Sequence, residues 1–336
     1  MFVSNKTGFE CVLARGRLTD ETSVLSVNVE VRYAISDDGS LHIAEPRARR
    51  DTDPPDIRRI PLWRGTSVTA AGMVLGPKRP PFVRTVSLRV NGTEHQVVVS
   101  GPRRWVRRGG TLAPSEPEPF EQVPLSWDLA FGGKYERAPG FAPDTGLPDP
   151  GGKVIYPLNP RGVGFYADDE TAADHPLPAI ELHDQPVQTP ADRPQPGGLA
   201  PCADLPGLRM SELAPNRWVD EGSAGTKLER RVSSLLNAAL LTQHVSPGPL
   251  IFDWLKTGTE IRLSGVGTGA MALATPSAPV LTWLRRGRDR DPLRGRLRAL
   301  HLDGAARDAV AVFGFAQRFS TASPPHWIEV GGNSST

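Results

Sequence analysis

The sequence predicts a mainly β protein: sandwich-like β-sheets, long Pro/Gly-rich loops and one notable amphipathic helix over about 227–243. Three observations predict it. Gly and Pro number 34 each, about a fifth of the chain where ordinary proteins carry roughly an eighth. Such punctuation argues for short strands and against a helical bundle. Several runs alternate apolar and polar residues with period two, and only one stretch stands out for helical spacing. At 336 residues the chain suits two β-rich units or one large one, and it is long enough to bury a core without staples.

The first element is Leu25–Tyr33, where Leu25, Val27, Val29, Val31 and Tyr33 alternate with polar residues, predicting a strand with one buried face. Asp38-Gly39 is a turn signal, with Leu41 and Ile43 flanking His42 on the return. A better specified hairpin follows. Val86, Leu88 and Val90 lead into Asn91-Gly92, whose residue types suit the two positive-φ positions of a type I′ turn. A two-residue loop there sets Val90 opposite Thr93, Leu88 opposite His95, Val86 opposite Val97, and Arg89 opposite Glu94 on the wet face. From Gly109 to about Gly225 prolines recur every few residues, which breaks up regular ladders. Phe120, Trp127, Phe131, Tyr135, Phe141, Tyr156, Phe165 and Tyr166 lie in the same stretch, so it is expected to be irregular but partly packed rather than a tether.

The helix begins at the capping box Thr226-x-x-Glu229, continues through Leu228, Val232, Leu235, Leu236 and Ala239, and stops at Pro247-Gly248-Pro249. Beyond it, Glu260–Ser264, Met271–Leu273, Leu297–Leu302 and Ala309–Phe319 are predicted strands, with Asp303-Gly304 a further turn. Gly265-x-Gly267-x-Gly269 has the glycines of a phosphate loop, but Pro276 and Pro279 forbid the helix that a dinucleotide site needs. It is expected to be a strand connection.

Charge and cysteine usage narrow the function classes. Thirty-nine Lys+Arg against 37 Asp+Glu leave a net charge of +2, so a strongly basic nucleic-acid-binding chain is excluded. Arg285–Arg298 contains seven Arg and two Asp. It lacks an aromatic for base stacking, and its Asp-Pro step signals a loop; a solvated hairpin tip or a contact for an acidic partner is expected. Cys11 and Cys202 have no nearby Cys, and both are expected to be inert thiols in a reducing cytosol. Met1–Glu10 has no apolar stretch of a secretory signal, and no run reaches the roughly 20 apolar residues of a membrane helix. The expected location is the cytoplasm, with no membrane or nucleic-acid partner.

Candidate chemistry is sparse. Asp168, Asp169, Glu170, Asp174, His175, His183 and Asp184 cluster along the chain but match no fixed metal motif. A solvated acidic loop is expected, and a metal-dependent hydrolase using segment 168–184 is the alternative. His95, on the hairpin's apolar face, is expected to be partly buried and satisfied. There is no Gly-x-Ser-x-Gly elbow and neither Cys sits in a nucleophile signature. No catalytic residue, cofactor or metal is assigned, and the chain is expected not to be an enzyme.

The middle segment carries a resemblance. Pro119-Phe120 followed by Val123-Pro124-Leu-Ser-Trp127-Asp-Leu-Ala-Phe131-Gly132-Gly133 resembles a block of bacterial domain-of-unknown-function family 2169. Asn159-Pro160-Arg-Gly162-Val-Gly164-Phe165, Leu177-Pro178-x-Ile-Glu181 and Pro194-x-Pro-x-Gly-Leu-Ala-Pro201 are similar to further blocks of it. So are Gly101-x-Arg103-x-Trp105, Leu236-Asn237-Ala-Ala239 with Gln243, and Leu255-x-x-Gly258-x-Glu260. The resemblance covers about residues 5–320. The chain departs from the family pattern at Leu62–Val68, at a shortened stretch containing Asn216-Arg-Trp218 and Gly225-Thr226, and at Ala179, where the family has Asn.

The resemblance implies an accessory protein of type VI secretion: an adaptor or chaperone that binds a toxic effector and promotes its loading onto the VgrG/PAAR spike. A structural component of that apparatus is a third reading. Three segments are expected within one family domain: a β-rich unit over 1–108, the Pro/Gly-rich motif segment over 109–225, and the helix with a second β-rich unit over 226–336. For the motif residues Pro124, Trp127, Phe131, Gly132, Gly133, Asn159, Pro160, Gly162, Gly164, Leu177, Pro178, Glu181, Asn237 and Gln243, a structural role or a partner-binding role is open. The glycines and the Asn-Pro step suit turns and close backbone approach.

Overall fold

The computed structural model describes residues 2–5, 9, 11–17, 21–45, 65–137, 139–141, 148–149, 151–156, 158–201, 250–267, 269–278, 280–285, 289–320, 322 and 327–330. Two sheets form its centre. The larger has seven strands, in the order Ile251–Phe252, Thr66–Ala71, Arg296–Asp303, Asp308–Ser320, Thr22–Ile35 and Cys11–Arg17, with Leu41–Ile43 also paired to Thr22–Ile35. The smaller has five, in the order Ile180–Leu182, Thr93–Ser100, Val83–Val90, Glu260–Ser264 and Met271–Ala274. Each sheet mixes strands from early and late in the chain. One core joins them: Val27, Val29, Val31, Val68, Leu300 and Phe313 from the larger sheet pack with Val86, Leu88, Val97, Ile261 and Leu263 from the smaller. The protein is therefore mainly β and sandwich-like.

The Asn91-Gly92 hairpin has the predicted register, with Val90 opposite Thr93, Leu88 opposite His95 and Arg89 opposite Glu94. Asn91 and Gly92 take φ of 47° and 83°, the left-handed positions a two-residue hairpin loop requires. The late strands also fall where alternation places them, at Glu260–Ser264, Met271–Ala274, Arg296–Asp303 and Asp308–Ser320. The loop with Gly265 and Gly267 connects two antiparallel strands and does not open a helix. At Asp303-Gly304 the turn is made by the carboxylate, whose Oδ1 accepts from the N–H groups of Ala305 and Ala306.

Three expectations need correction. Thr22–Ile35 is buried on both faces along part of its length, since Ser26 and Asn28 are as inaccessible as Val29. They settle this burial by pairing with each other, Ser26 Oγ donating to Asn28 Oδ1 at 3.1 Å. Asp291-Pro292 lies inside the strand Asp289–Arg294, opposite Trp283 and Thr282, and does not make a loop. That strand is the last in its four-stranded sheet, and an edge strand tolerates the missing proline donor. Arg298 is buried rather than solvated. The pairing slips between Leu297 and Ala299, making Arg298 the extra residue of a β-bulge, a device that re-aims a side chain. Gly314 makes room for it: a Cβ there would meet both Asn28 and the Arg298 guanidinium. Burial lowers the pKa of that guanidinium, to about 9.

The predicted helix over about 227–243 lies outside the described residues, as do Cys202, Asn237 and Gln243. Among the described residues, helical structure amounts to single turns such as Trp127–Leu129 and Asp169–Ala172. No helix there is long and apolar enough to cross a membrane.

Candidate functional site

The motif loops of the middle segment meet in one place, beside the five-stranded sheet. Asn159 is at their centre. Asn159-Pro160-Arg161-Gly162 forms a β-turn, with the Gly162 N–H donating to the Asn159 carbonyl at 3.3 Å; Asn first, Pro second and Gly fourth are residues such turns favour. The same carbonyl accepts from the Gly133 N–H at 2.8 Å, which ties the turn to the Phe131-Gly132-Gly133 block. The Asn159 side chain completes the link. Its Nδ2 donates to the carbonyls of Trp127 at 2.8 Å and Phe131 at 3.1 Å, while the residue is 2% exposed. A buried amide that bridges two loops through main-chain carbonyls is a costly one to lose.

The glycines follow from this closeness. Gly132 has φ of 150°, and a Cβ there would strike the Asn159 carbonyl; one at Gly162 would strike the Asn159 amide. Phe131 and Gly132 then pair in parallel with Val163 and Gly164. Phe131 is buried with its ring edge-on to Tyr156, centroids 5.0 Å apart. Phe165 continues the stack at 5.3 Å from Tyr156, and the Arg193 guanidinium lies 4.9 Å from the Phe165 centroid. The Tyr156 hydroxyl donates to the Pro194 carbonyl at 2.9 Å, and burial raises its pKa despite the nearby Arg193.

Trp127 and Glu181 anchor the other two loops. The Trp127 indole donates to the Ala200 carbonyl at 2.7 Å, with Gly198 lying under its ring. Glu181, 5% exposed, accepts from Arg103 Nη2 at 2.6 Å through one oxygen and from the Val187 N–H at 2.9 Å through the other. Arg103 also donates to the Pro178 carbonyl at 2.8 Å. Leu177 packs with Trp105, Phe131 and Tyr156. Pro124 is exposed and pairs with Met73 at the end of a short strand. Twelve of the fourteen motif residues thus lie among the described residues, and apart from Pro124 they belong to one interlocked group.

The acidic-His segment is arranged differently. Asp168 caps the turn Asp169–Ala172: its Oδ1 accepts from the Thr171 N–H at 2.9 Å, and Thr171 Oγ1 accepts in return from the Asp168 N–H at 3.1 Å. The Thr171 N–H is the first cause holding the Asp168 carboxyl below the usual range. His175 lies against the Tyr166 ring at 5.5 Å. Asp169, Glu170, Asp174, His183 and Asp184 face solvent. Among the described residues no three His, Cys, Asp or Glu side chains gather in a way that could hold a metal.

His95 corrects a further expectation. It is partly buried beside Leu88, with its ring edge-on to Phe252 at 5.9 Å, but its buried Nε2 has no hydrogen-bond partner. Desolvation lowers its pKa. Sequence reasoning also missed Arg103 as the partner of Glu181. The two stand far apart in the chain and neither has a local pattern pointing at the other; only the Arg-x-Trp spacing within a matched block marked Arg103 at all.

The sequence profile of a family described as an uncharacterized protein conserved in bacteria, domain of unknown function 2169, matches residues 20–313, and the chain belongs to that family. No curated protein matches the chain, and no solved structure does.

Proposed function

With that membership as the premise, we propose that the protein is a non-enzymatic adaptor: it binds an effector of a type VI secretion system in the cytoplasm and promotes its loading onto the VgrG/PAAR spike. The observation that carries this reading is where the polar groups of the family motifs are spent. Asn159, Glu181, Arg103 and Trp127 all turn inward to hold loops together. The motifs thus build a rigid frame from irregular chain, and recognition falls to what the frame displays. Irregular loops held on a sheet are a common place for binding. The interface is expected to bury on the order of 1,200–2,000 Å² in total, with Trp, Tyr or Arg side chains as anchors.

Affinity capture from the native host, paired with a secretion assay in a deletion strain, tests the reading. One cognate effector or spike component should be captured, and its delivery should fall while other cargo is still exported. Capture without any spike or toxin component, together with normal export of all cargo in the deletion strain, would sink it. Turnover of a substrate by the purified protein would overturn the non-enzymatic part on its own.

A further inference from the structure

A groove of about 930 Å³ opens between the two sheets, lined by Tyr33, Leu41 and Ile43 on one side and Ala272, Ala274 and Pro276 on the other. Three features make it more than a gap. The first is a phenol on the wall. Tyr33 lines the groove and is 8% exposed. Its hydroxyl is not sealed in without a partner; it stays accessible from the groove, where a backbone acceptor can meet it. Burial pushes its pKa up to about 12, so it keeps its proton throughout the physiological range.

The second is a strand edge with no partner strand among the described residues. The bonds Ser36 N–H to Ser40 carbonyl and Ala44 N–H to Arg32 carbonyl bracket the pairing of Leu41–Ile43 with Tyr33–Ile35. In an antiparallel ladder of that phase, the alternate residues Leu41 and Ile43 turn their N–H and C=O groups away from the sheet. The Ile43 side chain beside them is 64% exposed, a large apolar group on that edge. The third is charge: Asp38 and Glu260 place carboxylates on the lining, and Asp38 is held ionised first by the Ser40 N–H.

From these we infer that the groove docks an extended segment of the protein partner, added as a strand to the Leu41–Ile43 edge. A backbone carbonyl of that segment accepts from Tyr33, and a Lys or Arg of it faces Asp38 and Glu260. Strand addition of this kind draws affinity from main-chain hydrogen bonds and specificity from alternate side chains. The inference rests on the adaptor reading for the identity of the partner, and it names the surface and the chemistry that reading leaves open.

The probe is a phage-displayed library of short linear peptides selected on the whole protein. Selected peptides should be alternating apolar sequences with a basic residue. Tyr33→Phe should weaken them about three- to tenfold, the worth of one hydrogen bond. Ile43→Pro removes only an outward N–H, which an edge position tolerates, and it should abolish binding while leaving the thermal midpoint near that of the parent. Peptides that bind both variants as well as the parent would overturn the inference, as would a library that yields no binder. Self-association lost in the same two variants would overturn it in favour of a second copy of this chain. Capture of the effector by both variants at parental levels would refute the groove and leave the adaptor intact. Groove-dependent peptide binding without any captured spike or toxin component would do the reverse.

Discussion

The paired sheets and the motif loops are held together by different means. In the sheets, stability comes from area. Val29, Val86, Leu88, Leu300 and Phe313 are fully buried, and each contributes roughly 1.5–3 kcal/mol by leaving water. Neighbours share that work, and a side chain of similar volume can replace any one of them. In the motif loops few backbone groups meet in ladders, so individual polar atoms carry the connections. Asn159 closes two loops with one amide, and Glu181 joins the strand Ile180–Leu182 to Arg103 and Val187. Substitution should therefore be tolerated on different terms: the sheets should care about volume, and the loops about atom type.

The largest effect is expected at the buried ion pair. Glu181→Ala strands the Arg103 guanidinium and the Val187 N–H, and should cost about 3–5 kcal/mol in the free energy from urea denaturation. A loss under 1 kcal/mol would mean the pair is solvated in practice. Leu300→Ala should cost about 2–5 kcal/mol as a core truncation, whereas Leu300→Met should cost less than about 1.5 kcal/mol. The loops should break that pattern. Asn159→Asp conserves volume but replaces a donor with an acceptor facing the Trp127 and Phe131 carbonyls, so it should cost as much as Asn159→Ala or more, roughly 2–3 kcal/mol. If the aspartate variant were as stable as the parent, the contrast between the regions would fail.

The smallest effect concerns pH. The folded-state pKa of His95 lies below its unfolded value because burial disfavours the cation. Between the two values the unfolded chain binds more protons, so stability rises with pH there. The contribution is present above about pH 6.5, the unfolded value, and is lost as pH falls toward the lower folded value. His95→Leu should therefore flatten the stability curve just below that point, measured as denaturation midpoints at paired pH values. An unchanged slope there would show that His95 does not set it. Asp192 acts only lower, below about pH 4: although burial alone would raise its pKa, the N–H groups of Gln188 and Thr189 hold that carboxyl low.

Period-two alternation and turn chemistry are local, and they were enough to place Glu260–Ser264, Asp308–Ser320 and the Asn91-Gly92 hairpin with its register. Each residue there is decided by neighbours a few positions away and by one question, whether a face is wet or dry. The motif blocks were legible as family signatures, down to the turn at Asn159-Pro160. Tertiary structure alone decided the rest. It buried Ser26, Asn28 and Arg298 on a face that alternation assigns to water. It drew Asp291-Pro292 into an edge strand, and it set Arg103 against Glu181 and Trp127 against Ala200. Such outcomes depend on which distant segment arrives to cover a polar group or to accept its hydrogen bond. That choice is made by long-range packing, where a buried polar atom is stable only when its partner comes from elsewhere in the chain.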